Sequence, residues 1–146
     1  MSTTTAAPHA VTMTSPAASW NLLRRALLAD GAVSGATGTL MLVAASPLGG
    51  LLGLNVTLLR AAGLSLLPFA ALLVFLSARA AIPQRLVWAI VGYNLLWAID
   101  SVLLLVTGWA DPTALGYLFT LGQALAVAAF AGLQYAGLRR VNPARA

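Results

Sequence analysis

Asp30, Asp100 and Asp111 are the only carboxylate side chains in this chain, His9 is its only imidazole, and cysteine and lysine are both absent. Few reactions can be built from that set. Without cysteine there is no thiolate nucleophile, no disulfide and no Cys-based zinc site. With a single histidine in an N-terminal tail, neither a bis-histidine haem nor a Ser-His pair inside the apolar part is expected. No phosphate-binding loop or metal-ligand cluster is visible, so no catalytic residue, metal or cofactor is assigned. The chemistry left open is that of isolated carboxylates, amides and hydroxyls in apolar surroundings.

Those surroundings are extreme. The chain of 146 residues is 60% hydrophobic and only 8% charged, against about 25% charged in an ordinary soluble domain. Its polar side chains cannot cover its apolar surface in water, which places it with integral membrane proteins and the lipid bilayer as its first partner. All eight basic residues are arginine, in a chain rich in Ala, Gly and Leu. That composition suggests a GC-rich bacterial genome and hence a bacterial inner (cytoplasmic) membrane. The net charge of +5 does not point to nucleic acid, because the arginines cluster at the ends of apolar runs and form no stripe.

Four apolar runs reach the ~20 residues that a membrane-spanning helix needs. They cover Leu22 to Ala45, Val56 to Ala78, Leu86 to Thr107 and Thr113 to Leu138. Short breakers separate them: Ser46-Pro47-Leu48-Gly49-Gly50, Ile82-Pro83 and Gly108 to Pro112. In the last, Asp111 reads as an N-cap and Pro112 as the first helical residue. Leu48 to Asn55 suits a short helical turn in the interface. The predicted fold is an all-α, up-down antiparallel bundle of four transmembrane helices over residues 21–140. A disordered tail (1–20) precedes it and a short tail (141–146) follows. Seven of the eight arginines, all but Arg60, fall on one side, which the positive-inside rule assigns to the cytoplasm, giving N-in/C-in. Trp20, Trp88 and Tyr135 then mark the inner interface, and Trp109 and Tyr117 the outer. Arg79 to Pro83 is similar to Arg139 to Pro143, a faint sign of two related hairpins.

Helix rise places the polar side chains in depth. Asp100 comes about 9 Å below the outer edge and Arg60 about 6 Å below it, on consecutive helices. The expectation is a structural ion pair between them, since a lone charge at a helix centre costs about 2.5–3.5 kcal/mol. Asp30 and Asn94 each lie about 12 Å from the inner edge, and Gln123 about 15 Å. With Ser34 one turn from Asp30 and Trp97 one turn from Asn94, these five residues form a candidate ligand or proton site. The competing reading is interhelical hydrogen bonding alone. Gly31, Gly35, Gly38 and Gly132 read as packing positions where the first and last helices approach, or where a homodimer or larger complex forms. Pro68 is expected to kink the second helix and free the Leu64 carbonyl for Ser65 or a neighbouring helix.

Over roughly Leu22 to Arg140, the chain resembles the small four-helix inner-membrane proteins of bacteria. The resemblance is architectural and implies a fold without a chemistry. Three functions follow in order of support. The first is an accessory or structural bundle that binds lipid or other subunits without catalysis. The second is a small proton-coupled transporter using Asp30, Asn94 and Gln123. The third is a membrane enzyme acting on a lipophilic substrate.

Overall fold

A computed structural model describes residues 16–141 as five helices, with no strand among them. They are α1 (Pro16–Val43), α2 (Ala45–Leu52), α3 (Val56–Ala78), α4 (Gln84–Val106) and α5 (Ala114–Val141). Four of these contain stretches long and apolar enough to cross a membrane: Trp20–Val43, Val56–Ala78, Gln84–Val106 and Ala114–Val141. α1 begins at Pro16, a residue suited to the first helical position, so residues 16–20 of the expected tail are helical. The remainder of that tail with His9, and the end of the chain with Arg145, lie outside the described residues.

Local chemistry sets the helix ends. Asn55 caps α3, its side-chain oxygen accepting from the backbone N–H groups of Thr57 (2.8 Å) and Leu58 (3.3 Å). α2 ends at Gly53, whose φ of 66° is a left-handed geometry that glycine adopts without steric cost. The start of α5 differs from expectation. Thr113, not Asp111, is the capping side chain: its Oγ1 accepts from Gly116 N (3.2 Å) and donates to the Leu51 carbonyl (2.8 Å). One hydroxyl thus closes the first turn of α5 and ties it to the end of α2. α3 runs continuously through Pro68, and Ser65 Oγ donates to the Ala62 carbonyl (2.8 Å), not to that of Leu64.

The helices pack as two antiparallel pairs, α1 with α3 and α4 with α5, joined along α1 and α5. Side chains record the antiparallel order. Gly31 of α1 faces Ala70, Leu73 and Val74, and Gly38 faces Gly63 and Leu66. Leu23 meets Gly137 at one end of the α1–α5 seam. Arg24, Arg25, Arg79, Arg85, Arg139 and Arg140 therefore share one end of the bundle, called here the basic end. The α2 segment and the Asp111 loop lie at the far end.

Glycines make the α1–α3 seam close. A Cβ on Gly63 would stand 2.7 Å from the Gly38 carbonyl oxygen, and one on Gly38 would stand 2.9 Å from Leu66 Cβ. The expected role of Gly31, Gly35 and Gly38 is thus redirected: they face α3 and not the last helix. Gly132 has no atom within 4 Å of a built Cβ, so it supports no packing inside the chain. A small-residue spacing shows which face of a helix is flat, not which neighbour lies on it.

α3 and α4 do not approach along their backbones. In the basic half, side chains fill the gap between them. Phe69 stacks on Tyr93 with ring centroids 4.3 Å apart, and Tyr93 leans on Trp97 at 6.2 Å. Leu73, Leu76, Val87 and Ile90 complete that core with Leu23 and Leu27 of α1. Arg24 closes the basic end of the first pair. Its guanidinium donates to the carbonyls of Ser77 (3.2 Å), Arg79 (2.6 Å) and Ala80 (2.9 Å). Those carbonyls end α3, where a helix lacks internal donors and a cation meets the negative end of its dipole.

Candidate functional site

Two features could carry function: a buried polar knot between α1, α4 and α5, and an open cleft between α3 and α4. The knot is centred on Asp30, which is 0% exposed. Ser34 Oγ donates to Asp30 Oδ1 (3.0 Å), and Asn94 Nδ2 and Gln134 Nε2 each donate to Oδ2 (2.7 Å). Asn94 Nδ2 also reaches Gln134 Oε1 (3.3 Å). One carboxylate thus collects three donors from three helices. Asn94 Oδ1 is buried and has no partner among the described residues. A buried carbonyl oxygen without a donor is an exception to the usual pairing of interior polar groups.

Of the five residues predicted for this site, Asp30, Ser34 and Asn94 come together. Trp97 and Gln123 do not touch the carboxylate; they line cavities nearer the far end. Gln134 takes the place expected of Gln123. The two glutamines are 11 residues apart, which is close to three full turns, so they share a face of α5 and differ only in depth. The signal was therefore present in the helical register.

The cleft opens where the aromatic filling stops. It has a volume of about 370 Å³ and is walled by Leu58, Leu59 and Ala62 of α3, Trp97, Asp100 and Leu104 of α4, and Phe119 and Gln123 of α5. Its lining is mostly apolar. Two of its hydroxyls are turned back onto their own helix, Ser101 Oγ to the Trp97 carbonyl and Thr107 Oγ1 to that of Leu103, both at 2.8 Å. Asp100, Thr120 and Gln123 are the other polar groups in the wall, and no basic residue lines it. A polar vestibule of about 640 Å³ adjoins it at the far end, with Asn55, Thr57 and Asp111 in its lining and Leu58 and Trp109 common to both spaces.

The expected Arg60–Asp100 pair is not formed: no N···O separation within 4.0 Å joins the two side chains, and both residues are exposed. The reason is rotational. Leu58, Leu59 and Ala62 turn toward the cleft, and at 100° per residue Arg60 lies on nearly the opposite side of α3. Depth alone matched the two charges; azimuth separates them.

A groove of about 340 Å³ between α1 and α5 includes Ser34, the hydroxyl partner of Asp30. It shares Trp97, Phe119 and Gln123 with the cleft, so these three side chains form the wall between the two spaces. No group of three or more potential metal ligands occurs among the described residues. Comparison with protein-family models, with curated proteins and with solved structures finds no match to this chain.

Proposed function

We propose that this chain is a multi-pass protein of a bacterial cytoplasmic membrane, N-in/C-in, whose bundle binds a lipophilic molecule in the far-end cleft without transforming it. The observation that carries this reading is the cleft itself. A volume of about 370 Å³ with a mainly apolar lining falls within the range typical of small-molecule sites. α3 and α4 stay apart beside it, so the space is part of the architecture. Within this reading the Asp30 knot is structural. Its donors and acceptor join α1, α4 and α5, and interhelical hydrogen bonds in bilayers contribute about 0.6 kcal/mol each, up to ~1.7. Orientation follows from the six arginines at the basic end, which the positive-inside rule assigns to the cytoplasm.

Native mass spectrometry tests the binding. The protein, extracted in a mild detergent, should carry a retained lipophilic species. Ala62→Trp, which fills the cleft, should release it while leaving the melting temperature nearly unchanged. Retention of the same species by the filled variant would overturn the reading.

A second reading has its own observation. Ser34 connects the Asp30 carboxylate to the α1–α5 groove, and only the Trp97–Phe119–Gln123 wall divides that groove from the cleft. A proton-coupled transporter needs such adjacency between a substrate space and an intramembrane carboxylate. It requires that Asp30→Asn abolish pH-dependent uptake in proteoliposomes while leaving ligand binding intact.

A further inference from the structure

We infer that the far-end cleft is a site for an amphipathic organic cation, with Asp100 as its counter-ion and Trp97 and Trp109 as its aromatic walls. The inference rests on the cleft-binding reading above and names the chemical class of its ligand. Charge placement carries it. Two of the three carboxylates in the chain, Asp100 and Asp111, line the cleft and its vestibule. Neither space has a basic residue in its lining, although the chain as a whole carries a charge of +5. Six arginines stand at the opposite end of the bundle, and Arg60 is turned away from the cleft. A protein this basic therefore presents one locally anionic concavity.

The walls fit the same ligand. Trp97 and Trp109 both border the cleft, and indole faces attract ammonium groups, most strongly where water is sparse. Trp109 and Leu58 also border the vestibule, so the vestibule and the cleft share one indole in their walls. Beyond Asp100 the lining is aliphatic and aromatic, suited to the apolar body of the ligand. An anionic or zwitterionic lipid is a poor fit, because its phosphate would meet Asp100 with no basic side chain in the lining to receive it. The occupant is accordingly a small monocation with an apolar body, a tertiary or quaternary ammonium that is not a phospholipid.

The test uses the full chain in lipid nanodiscs and two probes. One is phenylbutyl-trimethylammonium; the other is its uncharged isostere, in which carbon replaces nitrogen. Calorimetric titration should show the cation binding roughly tenfold tighter than the isostere, a preference of about 1.4 kcal/mol. Asp100→Asn should erase that preference and leave the affinity for the isostere unchanged. Asp100→Glu should restore it, which guards against a folding defect in the amide variant. Equal binding of both probes to the wild type would overturn the cation assignment while leaving a lipophilic cleft. Binding of neither probe, with a retained species still displaced by Ala62→Trp, would likewise overturn the cation assignment and not the cleft reading. Loss of the retained species in wild type and variant alike would remove both. A preference for the cation that survives Asp100→Asn would also overturn the proposal, because the counter-ion would then be wrong.

Discussion

Replacing Asp30 by asparagine and by leucine should have very different effects, and the hydrogen-bond geometry says why. The carboxylate receives Ser34 Oγ at Oδ1 and the two amide nitrogens of Asn94 and Gln134 at Oδ2. Asparagine of the same shape can keep its single oxygen at the Oδ2 position and so retain both amide donors. Its own nitrogen then faces Ser34 Oγ at the present 3.0 Å. A hydroxyl accepts as readily as it donates, so that bond survives with its direction reversed. Asp30→Asn should therefore stay within about 1 kcal/mol of wild type, less than one unmade buried bond. Leucine removes all three acceptor contacts. Two of these, from Asn94 and Gln134, are interhelical; at ~0.6–1.7 kcal/mol for each such bond in a bilayer, their loss comes to about 1–3 kcal/mol. The assay is reversible unfolding in mixed micelles, adding SDS to maltoside and following tryptophan fluorescence, with the midpoint and slope converted to free energy. Asp30→Asn as damaging as Asp30→Leu would refute the acceptor-hub argument and show that the charge itself is needed. A neutral Asp30→Leu would show that the knot adds nothing to stability. Adding Gln134→Leu to Asp30→Leu should cost about 1 kcal/mol less than Gln134→Leu alone, because the contact it breaks is already gone.

Three further substitutions probe the frame. Gly63→Ala places a Cβ against the Gly38 carbonyl and Leu42, so α1 and α3 must separate; a loss of about 1–3 kcal/mol is expected in the same unfolding assay. Gly53→Ala and Gly108→Ala form a matched pair. Both glycines have positive φ (66° and 69°), but a Cβ at Gly53 would meet the Asp111 carbonyl at 2.6 Å and one at Gly108 would meet nothing within 4 Å. Gly108→Ala should cost about 1–2 kcal/mol for its backbone conformation alone, and a Gly53→Ala cost no greater than that would count against the packed far end. Arg24→Gln should speed amide hydrogen exchange through the end of α3 and residues 79–81, whereas Arg24→Lys, with one ammonium in place of the planar fork, should recover only part of the protection.

The four long apolar helices and their short connections were legible because length and hydropathy alone decide them. Within the knot, Asp30, Ser34 and Asn94 were also legible, since depth and helical face place all three. Gln134 escapes the sequence reading because depth on the last helix is counted inward from Thr113, which puts Gln123 at the midplane and Gln134 about 16 Å beyond it, at the inner edge. α5 continues to Val141, about 10 Å past Gln134, so that residue lies inside the bundle. The Arg60–Asp100 pair failed for the complementary reason. Depth matched, but the rotation of α3 about its axis is set by Leu59 and Leu66 packing into the core, which no count of residues from a helix end reports. Thr113 displaced Asp111 as a cap because its hydroxyl also satisfies the Leu51 carbonyl, a partner 62 residues away in the chain. The cleft depends on the absence of close packing between α3 and α4, a tertiary fact without a local sign.

That separation has a mechanical consequence. Carbonyl-to-glycine contacts lock α1 to α3, the α1–α5 seam and the Asp30 knot join the two pairs along their length, and Thr113 ties the far end of α5 to α2. Across the open side the pairs meet through rings and aliphatic side chains, so changing the width of the cleft breaks no backbone hydrogen bond between α3 and α4. Phe69 and Tyr93 are the spacer on this side near mid-height, while the far end is pinned by Thr113 to the Leu51 and Leu52 carbonyls. Bulk added at position 69 therefore acts on the cleft through the separation of α3 and α4, although Phe69 does not itself line the cleft.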